Sequence, residues 1–224
     1  MDIAALGTFF MGVAVCFTLS TIFHTCANHS KDVWIFTNQL DYLGIVIVIW
    51  GSSVSSDFFG FYCDKKLQLF YWTVATASAV GCGIFTLTSN FRSPAYRLVR
   101  FGVYSLLGLS AFVPVIHGII INGWQAQDQR MSISYFLGLA VLNFTGASIY
   151  AARIPERWYP RTFDLWGSSH QIMHVLVVYG AFSHTTGLIK AFDFWHARRG
   201  IESDLNVKIV IGKVTRFVQP ANCL

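Results

Sequence analysis

Residues able to hold a metal ion stand at two places in the chain. The stretch Ser168-Ser169-His170-Gln171-Ile172-Met173-His174-Val175-Leu176-Val177-Val178 puts two histidines four apart at the mouth of an apolar run. On a helix that spacing sets both imidazoles on one face, one turn apart. Zinc helices with the same i, i+4 histidines hold one ion between two neutral ring nitrogens. The competing reading is a pair of helix-end histidines hydrogen-bonded to their neighbours. Near the amino end stand Ser20, His24 and Asp41. What these residues can do together depends on the elements that position them.

Composition names those elements. The 224 residues are 54% hydrophobic and 12% charged, with mean hydropathy +0.51. Soluble domains carry about 25% charged residues, so this chain belongs in a membrane. Its net charge of +5 reads as loop charge that sets orientation rather than as a nucleic-acid footprint. The five cysteines (Cys16, Cys26, Cys63, Cys82, Cys223) are scattered without a CxxC, which argues against a disulfide framework.

Six apolar runs approach the length that crosses a bilayer: 3–23, 41–57, 67–88, 98–121, 133–152 and 169–190. The first is not read as a signal peptide, because no basic segment precedes it and no small-residue cleavage site is clear before His24. The connections hold the charges and Pro94, Pro155 and Pro160. The expected fold is an all-α, polytopic transmembrane bundle. The last stretch, IESDLNVKIVIGKVTRFVQPANCL, alternates like a strand and is too short to span as a helix.

Loop charge predicts the orientation. Loops one, three and five carry Lys31, Arg92, Arg97, Arg100, Arg153, Arg157 and Arg161; loops two and four carry Lys65, Lys66 and Arg130. Seven cations against three place the odd loops in the cytoplasm and both termini outside. The basic tail argues the other way and weighs less than the short loops. In this arrangement His24 ends the first span, Asp41 begins the second, and His170 and His174 begin the sixth, all on the cytoplasmic side. Ser20 lies one turn before His24 on the same face. Ionisable groups inside a membrane usually face a bundle interior or polar cavity, so this group is the candidate site. A polar network that only locks helices together is the alternative.

The other histidines are controls. His117 falls about 28 Å from the cytoplasmic start of its span, and His184 about 15 Å deeper than His174. His196 lies past the last span. His29, in loop one on the cytoplasmic side, is the competing ligand.

Four segments carry a family resemblance: Ser20-Thr21-Ile22-Phe23-His24, Leu40-Asp41-Tyr42-Leu43-Gly44-Ile45, Tyr150-Ala151-Ala152-Arg153-Ile154-Pro155-Glu156-Arg157, and Ser169-His170-Gln171-Ile172-Met173-His174-Val175-Leu176-Val177. From about residue 5 to 190 the chain resembles the adiponectin receptor branch of the progestin and adiponectin receptor (PAQR) family, related to haemolysin III, with a fungal-type character. The resemblance implies seven helices, of which the six runs here correspond to the second through seventh. It implies a zinc ion near the cytoplasmic face, with His24, His170 and His174 as ligands, Asp41 holding a zinc-bound water, and Ser20 as the serine of the wider hydrolase pattern. It also implies a membrane-lipid substrate, ceramide or sterol-like, and an extracellular protein ligand. By this reading residues 1–199 form the PAQR-like domain and residues 200–224 a tail outside the family pattern.

The chemistry follows from the donor set. Three histidines and one open position are a catalytic zinc arrangement, whereas structural zinc is usually closed by four protein ligands rich in cysteine. Asp41 would orient water and accept its proton, and Ser20 would donate a hydrogen bond to a developing oxyanion. Three function classes stand: a ceramide-type lipid-amide hydrolase, a receptor with a structural zinc, and a non-catalytic zinc or sterol homeostasis protein. The membrane is expected to be the plasma membrane or the endoplasmic reticulum.

Overall fold

Among the described residues six helical segments are long and apolar enough to cross a membrane: Asp2–Cys26, Lys31–Gly60, Lys65–Thr86, Arg97–Asn122, Ile133–Ala152 and Ser169–Arg198. They belong to a computed structural model that describes residues 2–88, 96–163 and 165–211, with side chains as far as Arg198. The elements are α1 (Asp2–Cys26), α2 (Lys31–Gly60), α3 (Lys65–Thr86), α4 (Arg97–Ser110), α5 (Phe112–Asn122), α6 (Trp124–Met131), α7 (Ile133–Ala152) and α8 (Ser169–Ile211). No strand occurs among the described residues. The all-α bundle expected from hydropathy is the fold observed.

Several details differ from the sequence reading. The second helix begins ten residues before Asp41, at Lys31, because Ser30 caps it: the Ser30 side chain accepts from the Val33 N–H at 3.3 Å. The fourth span is two helices meeting at Ala111. Pro114 has no N–H to offer the carbonyl of Ser110, and the helix breaks just before it. The strand-like tail is helical as far as Ile211, continuing α8. Arg92, Pro94 and residues 212–224 lie outside the described residues. Cys63 is disulfide-bonded, while Cys16, Cys26 and Cys82 are thiols.

The central helix is α2, which contacts α1, α3, α4, α5, α6 and α8. From Gly51 to Gly60 every residue of it is buried. Its serines are tolerated there because they bond back to their own helix: Ser52 Oγ to Val48 O at 2.8 Å and Ser53 Oγ to Ile49 O at 2.9 Å.

Within lipid, helices gain little from removing apolar surface from water, so close packing and interhelical hydrogen bonds, each about 0.6–2 kcal/mol, decide how they associate. Glycine permits the closest approach. A Cβ on Gly44 would lie 3.0 Å from the Cys16 Cα, and one on Gly51 would lie 2.6 Å from the Thr8 carbonyl oxygen. These two contacts fix an antiparallel register between α1 and α2, and continuing it sets Ser20 opposite Asp41. At the far end, Phe9, Phe58, Phe59, Ile133, Leu188 and Trp195 form a tight core. Trp195 Nε1 donates to the carbonyls of Phe59 and Arg130, both at 3.2 Å. That end is closed by packing, and the other end is left to the histidines.

Candidate metal centre

The three expected histidines converge from two helices that are not neighbours in sequence. His170 Nε2 lies 3.1 Å from His24 Nε2 and 2.9 Å from His174 Nε2. One ligating atom of each lies within 4.8 Å of the other two. Zinc–nitrogen bonds of about 2.0–2.1 Å at tetrahedral angles require nitrogens about 3.3 Å apart. The rings meet edge to face, with centroids 4.7 Å apart for His170 and His174 and 5.0 Å for His24 and His170. They present nitrogens rather than ring faces to the shared centre.

Asp41 and Ser20 reach the same place by the α1–α2 register. Asp41 is buried, and its electrostatic neighbours are Ser20, His24 and His174. Ser20 is buried, and its hydroxyl lies beside the Asp41 carboxylate without a hydrogen bond of normal geometry. The donor set of three imidazoles, with a carboxylate and a buried hydroxyl nearby, fits zinc with an open position. The early start of α2 does not disturb this: His24 is in the last turn of α1, and Asp41, about 15 Å into α2 at 1.5 Å per residue, faces back toward Ser20.

The control histidines are engaged elsewhere. His117 Nδ1 is 2.7 Å from the Tyr71 hydroxyl. His184 packs edge-on against Phe9 at 4.7 Å. His196 stacks on Phe192 at 3.7 Å. His29 is exposed in the α1–α2 turn and joins no metal-ligating group among the described residues.

A cavity of about 220 Å³ opens from the site. Ser20, Asp41, His170 and His174 line one end; Ser53, Phe136 and Ala181 line the other. From Asp41 to Ser53 along α2 is about 18 Å. The wall between is mostly apolar, which suits an apolar occupant better than a polar metabolite.

Sequence reasoning missed several residues of this wall. Arg97 and Arg100, counted as loop cations, stand in the first turn of α4 and line the cavity. The Arg100 guanidinium lies 5.1 Å from the Tyr42 ring centre, and that of Arg97 lies 5.8 Å from Tyr150. Tyr150 also meets His170 edge-on at 5.3 Å. The usable signal was that both arginines fall at the edge of an apolar run, where a cation is expensive and marks a functional or polar lining.

Glu156 was also missed as a site residue, although it lies in a quoted motif. Its Oε2 accepts the Ser169 N–H at 2.9 Å, and its Oε1 accepts the Ser169 hydroxyl. This anion caps the start of α8 one residue before His170. Burial pushes the Glu156 carboxyl up, but the bonds from Ser169 and from its own backbone, together with the Arg153 charge, outweigh burial and hold it below its ordinary value. A depressed carboxylate stabilises the fold above its unfolded pKa, and the gain is lost as pH falls through the folded one. If the three histidines hold zinc, Glu156→Ala should weaken its binding about 10–100-fold, the usual effect of removing a group that orients a ligand. Zinc titration of the purified variant checks this, and wild-type affinity would contradict it.

Spanning helices around a half-buried polar centre, with His24 exposed and His170 and His174 partly covered, define a class: an integral, multi-pass α-helical membrane protein. The family model described as Haemolysin-III related matches residues 1–185, and the chain belongs to that family. It is 40% identical over 182 residues to the Adiponectin receptor protein of Drosophila melanogaster, covering 81% of this chain and 41% of that protein. It is 36% identical over 180 residues to the Progestin and adipoQ receptor-like protein 1 of Caenorhabditis elegans, covering 80% and 42%. It is 32% identical over 198 residues to the ADIPOR-like receptor IZH2 of Saccharomyces cerevisiae, covering 88% and 62%. The chain therefore spans less than two thirds of the length of these relatives. Its similarity to adiponectin receptor-like proteins is the one expected from its motifs.

Proposed function

We propose that this protein is a zinc-dependent lipid-amide hydrolase of the receptor type, with ceramide as the substrate class. The observation that carries the reading is the His24–His170–His174 convergence beside a mostly apolar cavity, with Asp41 and the Ser20 hydroxyl next to it. His24, His170 and His174 would hold the ion. Zinc with an open position supplies Lewis acidity toward a carbonyl and lowers the pKa of water to about 7. Asp41 holds the attacking water by hydrogen bond and accepts its proton. Ser20 Oγ donates to the oxygen on which negative charge develops. The apolar wall receives the acyl chain and excludes water from the reacting bond. The names of the relatives also support a receptor reading, in which His24, His170 and His174 would hold the ion only to tie α1 to α8.

The test is zinc content and ceramide turnover on one purified preparation, before and after chelation. One zinc per chain, with turnover that falls on chelation and returns with added zinc, is expected. Bound zinc with no turnover of any lipid amide would sink the hydrolase and leave the clamp.

The same reading places the histidine end of the bundle at the cytoplasmic face. Among the loop cations on that side, Arg97 and Arg100 line the cavity; on the other, Arg130 is buried. Setting these aside leaves five cations against two, which still favours this orientation. Single-cysteine labelling in intact cells should leave the α7–α8 loop unreactive to impermeant reagents and the α2–α3 turn reactive. The reverse pattern would overturn the orientation.

A further inference from the structure

The segment between α7 and α8 presents a surface that the metal centre does not use. It runs as successive turns: the Arg157 N–H donates to Arg153 O at 2.7 Å, Trp158 to Pro155 O at 2.9 Å, and Thr162 to Tyr159 O at 3.3 Å. Arg153, Arg157 and Arg161 recur at four-residue intervals, and all three are exposed. The Arg157–Arg153 bond sets the first two one α-turn apart. Around them stand four large apolar side chains open to the surroundings: Trp158 at 64%, Tyr159 at 61%, Leu165 at 80% and Trp166 at 84% exposure. Of the acids in the segment, Glu156 is engaged by Ser169, with Arg153 as an electrostatic neighbour; Asp164 lies outside the described residues.

Position says what medium this surface meets. The segment begins next to Ala152, the last residue of one span, and ends at Ser169, the first of the next. It is held at the bilayer surface by both ends. Tryptophan and tyrosine are favourable in the headgroup layer, where an aromatic body is wetted on one side only. Guanidinium groups there meet phosphate oxygens, to which they bond in pairs.

We propose that the α7–α8 segment is a binding site for anionic phospholipid headgroups, with Arg153, Arg157 and Arg161 taking the phosphate and carboxylate oxygens and Trp158, Tyr159 and Trp166 seating the segment among the acyl-chain boundaries. The charge complementarity and the tethering at both span ends commit the surface to lipid. The proposal needs neither zinc nor turnover.

The experiment uses the full chain in nanodiscs of phosphatidylcholine with and without phosphatidylserine, with retained lipid counted by native mass spectrometry. Phosphatidylserine should be retained over phosphatidylcholine, and high salt should erase the preference. Each Arg→Gln change should lower the preference about five-fold, the weight of one cation near an anionic surface. The charge-preserving variant Arg153→Lys/Arg157→Lys/Arg161→Lys should keep most of it, and Lys66→Gln at the opposite end should change nothing. The salt arm needs no variant and stands if the triple glutamine variant fails to fold. Equal retention of both lipids by the wild type at low salt overturns the proposal and leaves the surface to a soluble protein partner. A preference that survives Arg153→Gln/Arg157→Gln/Arg161→Gln in folded protein overturns it as well.

Discussion

Replacing His170 and His174 together with alanine should take zinc from about one per chain to none. His170 Nε2 lies 3.1 Å from His24 Nε2 and 2.9 Å from His174 Nε2, and without the two α8 rings only His24 and the Asp41 carboxylate are left at the site. Structural or catalytic zinc needs at least three protein donors, so the loss is of the whole site rather than a weakening. The comparison variants make the result specific. His117→Ala, which removes the partner of Tyr71, and His184→Ala, which opens a gap beside Phe9, should lower thermal stability and leave zinc in place. His29→Ala should leave both unchanged. Mass spectrometry of the metal content of purified proteins reads all four. Equal zinc in wild type and the double variant would refute the site.

Asp41→Asn should separate catalysis from clamping. The amide still hydrogen-bonds a water but is a poor proton acceptor at neutral pH. If the three histidines hold the ion, the variant keeps most of its zinc, with affinity lowered by about 10–100-fold at most. A hydrolase then loses about 10²–10⁴ in turnover, the contribution of a positioned general base. A clamp loses little function. Zinc and ceramide turnover measured on the same Asp41→Asn preparation decide between them: bound zinc with unchanged turnover excludes Asp41 as the base, and lost zinc makes it a ligand. Both arms rest on Asp41 standing opposite Ser20, which the glycine contacts of α1 and α2 impose.

The sequence by itself determined that this is a bundle of six spans and which residues gather at one level. Both are local properties. A run of about 20 apolar residues crosses a bilayer whatever its neighbours are, and counting residues from the ends of such runs gives depth. So His24, Asp41, His170 and His174 could be set at one level, and His117 and His184 set apart, without tertiary information. The tertiary structure alone decided which side chains face one another. The meeting of α1 with α2 turns on what fits above Gly44 and Gly51, and the partners there are Cys16 and Thr8, far away in sequence. Hydropathy does not encode that pairing, because in lipid every apolar face is equally soluble and only close fit distinguishes them. For the same reason Arg97 and Arg100 read as loop cations until α4 packed and turned them onto the cavity wall. The cavity itself is a gap between packed faces, and no single stretch of the chain specifies it.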